Sequence, residues 1–421
     1  MPMFASFAGN WSSQKKSLAY KYWMASGTFG NYLYSSIVDS SGNIYLRNGT
    51  VVTKMNSIGT ILWSYSYVGT SPTSSTPGIA IDLNQDIIIV HSGASSPYAA
   101  GITKISKTDG AVLWTRTTSS AAGTGWWGAT AVTTDPTGNI YFICDDGITT
   151  GTFPNTSYMI VKFNNAGTWQ WQRKIDIGTV LSTTALTDIP ATIIANNSYV
   201  YFGGMASNTS AAFYGALTSA GALSWAKTHN GIKITGSALD SSGNVYFGDG
   251  GVNTNGILKY NATGTLLWQK KIQTAASGGI TGNAYINIDA ADGIYYMPDQ
   301  KPLIIKYNTS GAITWQRLIT STTKTFNQVT NVATFPTASE SIFVAAATSG
   351  GITSYGVIPS TGTSYSSGEW AITTPANLNA EYAKTITVRT PTVTTITPVI
   401  VNTAISKTLY TPSGIVITPL A

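Results

Sequence analysis

A unit that recurs roughly every 43 to 57 residues constrains this chain more than any local pattern within it. It consists of a lysine followed by an apolar or aromatic residue, a polar turn, a glycine, and a tryptophan four positions after the glycine. Copies stand at Lys54-Met55…Gly59…Trp63, Lys104-Ile105…Gly110…Trp114, Lys162-Phe163…Gly167…Trp171, Lys259-Tyr260…Gly264…Trp268 and Lys306-Tyr307…Gly311…Trp315. Gly221 and Trp225 form another copy with Ala216 in place of the lysine, and Val357…Gly362…Ser366 forms a seventh without lysine or tryptophan. A second signature precedes each copy: Asp39-Ser40-Ser41-Gly42-Asn43-Ile44-Tyr45, its close counterparts from Asp135 to Tyr141 and from Asp240 to Tyr246, and weaker forms beginning at Asp82, Asn196, Asp289 and Pro336. The period is that of a four-stranded propeller blade.

Each unit divides into four short strands joined by turns. In the first, Ser36 to Val38 is expected innermost, followed by Asn43 to Leu46, Val51 to Met55 and Ile61 to Tyr67. Gly and Asn between them supply the positive φ that tight antiparallel turns require. The chain is rich in Thr, Ser, Gly, Asn and Tyr and only 10% charged, which favours strands and turns over helices. One blade cannot bury both faces, so the units must stack around an axis. Trp23, Trp63, Trp114, Trp171, Trp225, Trp268 and Trp315 are then expected as blade-packing residues. Tyr22 to Ser26 resembles an outer strand without a blade, while the seventh unit lacks its tryptophan. We therefore expect a seven-bladed β-propeller closed by the N-terminal strand, which would remove two exposed sheet edges. The competing closure has Trp370 completing the last blade locally.

The string Asp-x-x-Gly-Asn-Ile/Val-Tyr followed by Lys-Phe/Tyr-Asn-x-x-Gly-x-x-x-Trp resembles the SBBP-type bacterial β-propeller repeat and, more distantly, the tryptophan-docking repeats of pyrroloquinoline-quinone-like propellers. The resemblance covers about residues 18–370 and implies the fold; propellers host unrelated activities, so it implies no particular site. Residues 1–17 form an N-terminal arm. Beyond Trp370 the style changes to Thr-Ile-Thr-Val alternation broken by Pro375, Pro391, Pro398, Pro412 and Pro419. Residues 371–421 are expected to be an extended all-β arm that needs a partner surface: the side of its own propeller, or a neighbouring subunit for assembly. A flexible tail is the bland alternative. This composition, with no secretory signal and a strand-like terminal arm, resembles bacteriophage tail and virion proteins in style.

A single cysteine, Cys144, excludes a disulfide framework and thiolate metal sites, and the two histidines, His91 and His229, have no metal-ligand spacing around them. No cofactor or metal is expected. The net charge is +6, but the 23 basic residues are scattered, so a nucleic-acid partner is not expected. Apolar runs are too short for membrane insertion. The repeated Asp and Lys series are expected to stabilise turns. Catalytic residues are not assigned. The candidate ligand face comprises Arg47, Asn48, Asp145, Asp146, Asp249 and Asp299, all just past the second strand of their units, where loops converge and could hold a cation or a glycan.

Three functions follow. The first is a non-enzymatic virion component that uses the propeller as a rigid display or receptor platform, and its arm to join other virion proteins or copies of itself. The others are an extracellular or cell-surface glycan-binding propeller, and a propeller hydrolase or lyase acting through Asp145, Asp146 or Asp249.

Overall fold

The computed structural model describes residues 23–28, 35–68, 70–71, 78–93, 100–119, 129–145, 157–176, 190–206, 211–230, 233–250, 256–272, 283–298, 303–323, 326–335, 341–348, 352–361 and 364–367, and the strands after residue 369. The expected arm 1–17 and the glycine of the seventh unit, Gly362, lie outside them. Among the described residues the chain is all-β, and its strands form seven antiparallel sheets.

Sheet I contains Ser35–Val38, Ile44–Asn48, Val51–Met55 and Ile61–Val68, and sheet II contains Ile79–Ile81, Ile87–Gly93, Ala100–Ile105 and Val112–Ser119. Ala129–Thr134, Ile140–Asp145, Ser157–Phe163 and Trp169–Asp176 form sheet III; Pro190–Ala195, Tyr199–Ala206, Ala211–Thr218 and Leu223–Asn230 form sheet IV. Sheet V is Lys233–Leu239, Val245–Gly250, Gly256–Tyr260 and Leu266–Ile272, and sheet VI is Ala284–Ile288, Ile294–Pro298, Leu303–Tyr307 and Ile313–Ser321. Sheet VII takes Phe326–Thr334, Ser341–Thr348 and Ile352–Pro359, and its fourth strand is Trp23–Thr28 from the other end of the sequence. That strand pairs antiparallel with Ile352–Pro359, with Trp23 opposite Val357. Closure is therefore N-terminal; Trp370 instead pairs with Ser321 in sheet VI.

The first strands of successive sheets touch one another in an unbroken cycle, from sheet I through VII and back to I. Seven apolar clusters fill the spaces between neighbouring sheets, one for each interface. The cluster between I and II is typical: Tyr45, Val52 and Trp63 meet Ile79, Ile87, Ile89 and Ile105. This is the propeller solution to a sheet with two apolar faces.

The turns that fix each sheet follow from the repeat. Asp39 Oδ1 accepts the backbone N–H groups of Ser41 and Asn43, and its Oδ2 accepts the Asn43 amide and the Tyr45 hydroxyl. Asp135 and Asp240 make the same bonds to Asn139 and Tyr141, and to Asn244 and Tyr246. Gly264, in the other turn, has φ +82°, and a Cβ there would stand 2.6 Å from the Trp225 ring, so the position requires glycine twice over.

After sheet VII the chain reverses around the ring. Trp370–Thr373 adds to the outermost strand of sheet VI, Asn379–Ala380 to V, Ile386–Arg389 to IV, Thr392–Thr395 to III, Val399–Asn402 to II, Ser406–Leu409 to I and Ser413–Pro419 to VII. Every addition is antiparallel. The terminal segment is thus a belt that gives each sheet a fifth strand and takes its own propeller as the partner surface. It starts earlier than residue 371: Tyr365–Ser367, which contains Ser366, pairs with Trp370–Thr373 in sheet VI and does not extend sheet VII.

Candidate functional site

The two ends of the ring differ. At one end the connections are short and alike, spanning 39–43, 56–60, 82–86, 135–139, 164–168, 240–244, 261–265, 289–293 and 308–312. At the other they differ in length and sequence from sheet to sheet, being brief at 49–50 and 231–232 and longer over 94–99, 120–128, 146–156, 177–189 and 273–283.

At the short-turn end the charged residues of the repeat are consumed in structure. Lys54, Lys162, Lys259 and Lys306 place their ammonium groups over the rings of Tyr45, Tyr141, Tyr246 and Tyr295. Lys259 also pairs with Asp240, Lys306 with Asp289 and Lys104 with Asp82. Burial alone would raise the carboxyl pKa values of Asp135, Asp240 and Asp289. Hydrogen bonds to their ionised forms outweigh it and hold all three below the usual aspartate value.

The tryptophans fasten each sheet to the next. Trp63 donates its indole N–H to Lys107 O, Trp171 to Ser219 O, Trp225 to Ala262 O, Trp268 to Thr309 O and Trp315 to Ser360 O. Trp114 lies against Gly167 of sheet III, with a constructed Cβ 3.0 Å from its ring.

The expected ligand face lies at the other end. Arg47 is fully buried: Nε donates to Gly49 O at 3.2 Å and Nη1 to Gly78 O at 2.6 Å. Burial pushes its pKa down to about 9. Asn48 beside it is also buried. Asp145 ends the second strand of sheet III, its backbone opposite Tyr158. Asp146 and Asp299 lie outside the described residues. Arg47 belongs to sheet I and Asp249 to sheet V, with three sheets between them on one side and two on the other, so the structure does not bring these two together.

Asp249 instead meets His229 of the neighbouring sheet. Its Oδ2 lies 3.2 Å from His229 Nε2, across the interface between sheets IV and V, with both side chains sealed from solvent. The His229 ring stands edge-on to Tyr214, whose hydroxyl is 2.7 Å from that of Tyr260. Burial pushes Tyr260 up to about 12 and raises Tyr214 well above the ordinary tyrosine value. The available signal was register: Asp249 occupies the repeat position of His91 and Cys144, both also buried. His91 Nε2 is 3.0 Å from Thr103 Oγ1. Among the described residues no group of three or more His, Cys, Asp and Glu is placed to hold a metal ion, and no helix is long and apolar enough to cross a membrane.

No protein-family model matches the chain, and no curated protein matches it. Solved structures do. A streptogramin B lyase aligns with TM-score 0.54 and 14% identity, covering 82% of this chain and 100% of that one. A catalytically inactive virginiamycin B lyase from Staphylococcus aureus with quinupristin aligns with TM-score 0.51 and 13% identity, over 80% of this chain and 99% of that one. A europium-containing methanol dehydrogenase aligns more distantly, at TM-score 0.43 and 12% identity over 73% and 72%. At such identity the likeness defines the fold class alone, that of a β-propeller repeat protein.

Proposed function

We propose that the chain is a seven-bladed propeller serving as a non-enzymatic display platform, a structural component of a virion tail, fibre or surface. In this reading it offers its long connections to a receptor or a cell-surface glycan. The observation that carries the reading is the asymmetry of the ends: a rigid frame of near-identical turns at one, and connections of differing length and sequence at the other. Binding residues are commonly carried on loops held by a rigid scaffold. The repeat's carboxylates and lysines are spent on turns and sheet contacts, which supports a structural role over a catalytic one. The Thr-, Ser-, Gly- and Asn-rich composition supports the virion setting, with the cell surface as the alternative location. The belt adds the final strands of the sheets, and we take residues 371–421 as the surface through which other virion proteins or further copies attach.

The test is retention of the full chain on a glycan array and on bacterial cells, with reducing-end release measured in parallel. Retention that is lost when 146–156 and 177–189 are replaced by short Gly-Ser connections, at unchanged melting temperature, supports the platform. Release of shortened glycan, or retention indifferent to both replacements, overturns it.

A further inference from the structure

Arg47 is a departure from the repeat that the fold does not require. The equivalent position, two residues after the residue paired with the third-strand lysine site, is Val90 in sheet II, Ile143 in III, Gly203 in IV, Gly248 in V and Met297 in VI. An apolar residue or glycine therefore satisfies the packing there. In sheet I the position holds a cation that is always charged in water, and it is completely enclosed.

Its partners account for only part of its hydrogen-bonding capacity. Nε is used by Gly49 O and one Nη1 hydrogen by Gly78 O, while Nη2 is buried with no hydrogen-bond partner. A guanidinium has five N–H donors, so three remain: both hydrogens of Nη2 and one of Nη1. Gly78 cannot be pushed aside: it opens the innermost strand of sheet II, its N–H donates to Thr130 O, and a Cβ on it would meet Val132 N at 2.7 Å. The guanidinium is held from the innermost layer by the Gly78 carbonyl.

Among the described residues no carboxylate forms an ion pair with Arg47. Through residue 134 the sequence has only Asp39, Asp82, Asp86 and Asp109 as acidic residues, and all four stand in the short-turn end. Arg47 stands at the far end of its strand, beside Gly49. Connections 29–34, 72–77, 94–99 and 120–128, which leave the sheets at that end, contain no Asp or Glu. A buried charge is tolerated when it is paired, and a buried donor when it is bonded.

We propose that Arg47 binds a compact carboxylate monoanion, enclosed between sheets I and II at the long-connection end of the innermost layer. The fork of Nη1 and Nη2 matches the two oxygens of a carboxylate in bidentate geometry, and one guanidinium balances one negative charge. The same chemistry is offered by a free small carboxylate or by the carboxylate of an acidic sugar. The proposal does not depend on the receptor reading, since failed glycan retention would leave binding of a free carboxylate untouched.

The experiment is thermal unfolding of the full chain in potassium acetate, potassium glucuronate and potassium chloride at one ionic strength. Wild-type protein should show a saturable rise in melting temperature with acetate or glucuronate over chloride, as mass action requires of a ligand that binds the native state. Equal responses to the two at equal concentration assign a free carboxylate; a response to glucuronate at tenfold lower concentration assigns an acidic sugar. Arg47→Met should abolish the difference between the salts. Arg47→Lys, which keeps the charge and loses the fork, should need at least tenfold more carboxylate, and it serves if the Met variant does not fold. Identical melting in all three salts, or a carboxylate response that survives both substitutions, overturns the proposal.

Discussion

The Trp23 indole N–H donates to Ser57 O at 2.8 Å, joining the strand that completes the last sheet to a turn of the first. Trp23 is fully buried and lies edge-on to Tyr355, 5.9 Å between ring centroids. The same indole-to-carbonyl contact joins sheet VI to VII through Trp315 and Ser360, so the closure uses the chemistry of the repeat.

Trp23→Ala should therefore destabilise the protein by about 3–5 kcal/mol, the cost of a large buried aromatic truncated to a methyl group. Denaturant unfolding measures it, with Leu83→Ala as the control. Leu83 is 55% exposed, and its truncation should change stability by no more than about 0.5 kcal/mol. Equal effects from the two substitutions would contradict a packed closure.

Gly264→Ala should cost more than about 1 kcal/mol, because the alanine would need a positive φ and its methyl would press on Trp225. Gly243→Ala is the informative comparison. Its φ is also positive, +78°, but the nearest atom to a constructed Cβ is Asn196 Nδ2 at 3.9 Å. Conformational strain alone predicts equal losses; contact with the tryptophan predicts the larger loss at 264.

The lowered folded pKa of Asp240 gives a stability contribution with a defined sign. It is complete above the unfolded aspartate value of about 3.9 and is lost as pH falls through the lower folded value. Asp240→Asn should melt lower than wild type at pH 6, and the gap should close as both are acidified. A gap that stays constant from pH 6 to pH 2 would show that the ionised carboxylate is not what stabilises the turn.

Ending the chain at Trp370 would remove the belt strands of sheets I to V and VII, and leave the outer strand of each of those sheets without its added partner. Unpaired edges template association. Light scattering should then show a mass above that of the full-length particle per chain, together with a lower melting temperature. A truncated protein with unchanged mass and unchanged melting would mean that the belt contributes nothing to the ring.

The sequence by itself determined the repeating frame. The Asp-Asn-Tyr turn and the Gly-to-Trp spacing are local rules, set by side-chain bonds within a few residues and by the φ a turn needs, so they recur legibly at Asp39, Asp135 and Asp240. Closure by Trp23 was legible for the same reason, as one strand too many at one end and one too few at the other. What surrounds the ring was not. Thr-Pro at 374–375, 390–391, 397–398, 411–412 and 418–419 punctuates the belt, but which strand each segment joins is a long-range pairing, with Ile386 opposite His229 and Leu409 opposite Tyr65. Only the tertiary structure decided that the belt runs against the order of the sheets. It likewise decided that Asp249 faces His229 and that Arg47 is sealed against Gly78. Those contacts cross from one sheet to the next, where proximity is set by the stacking of sheets around the axis and no spacing along the chain encodes it.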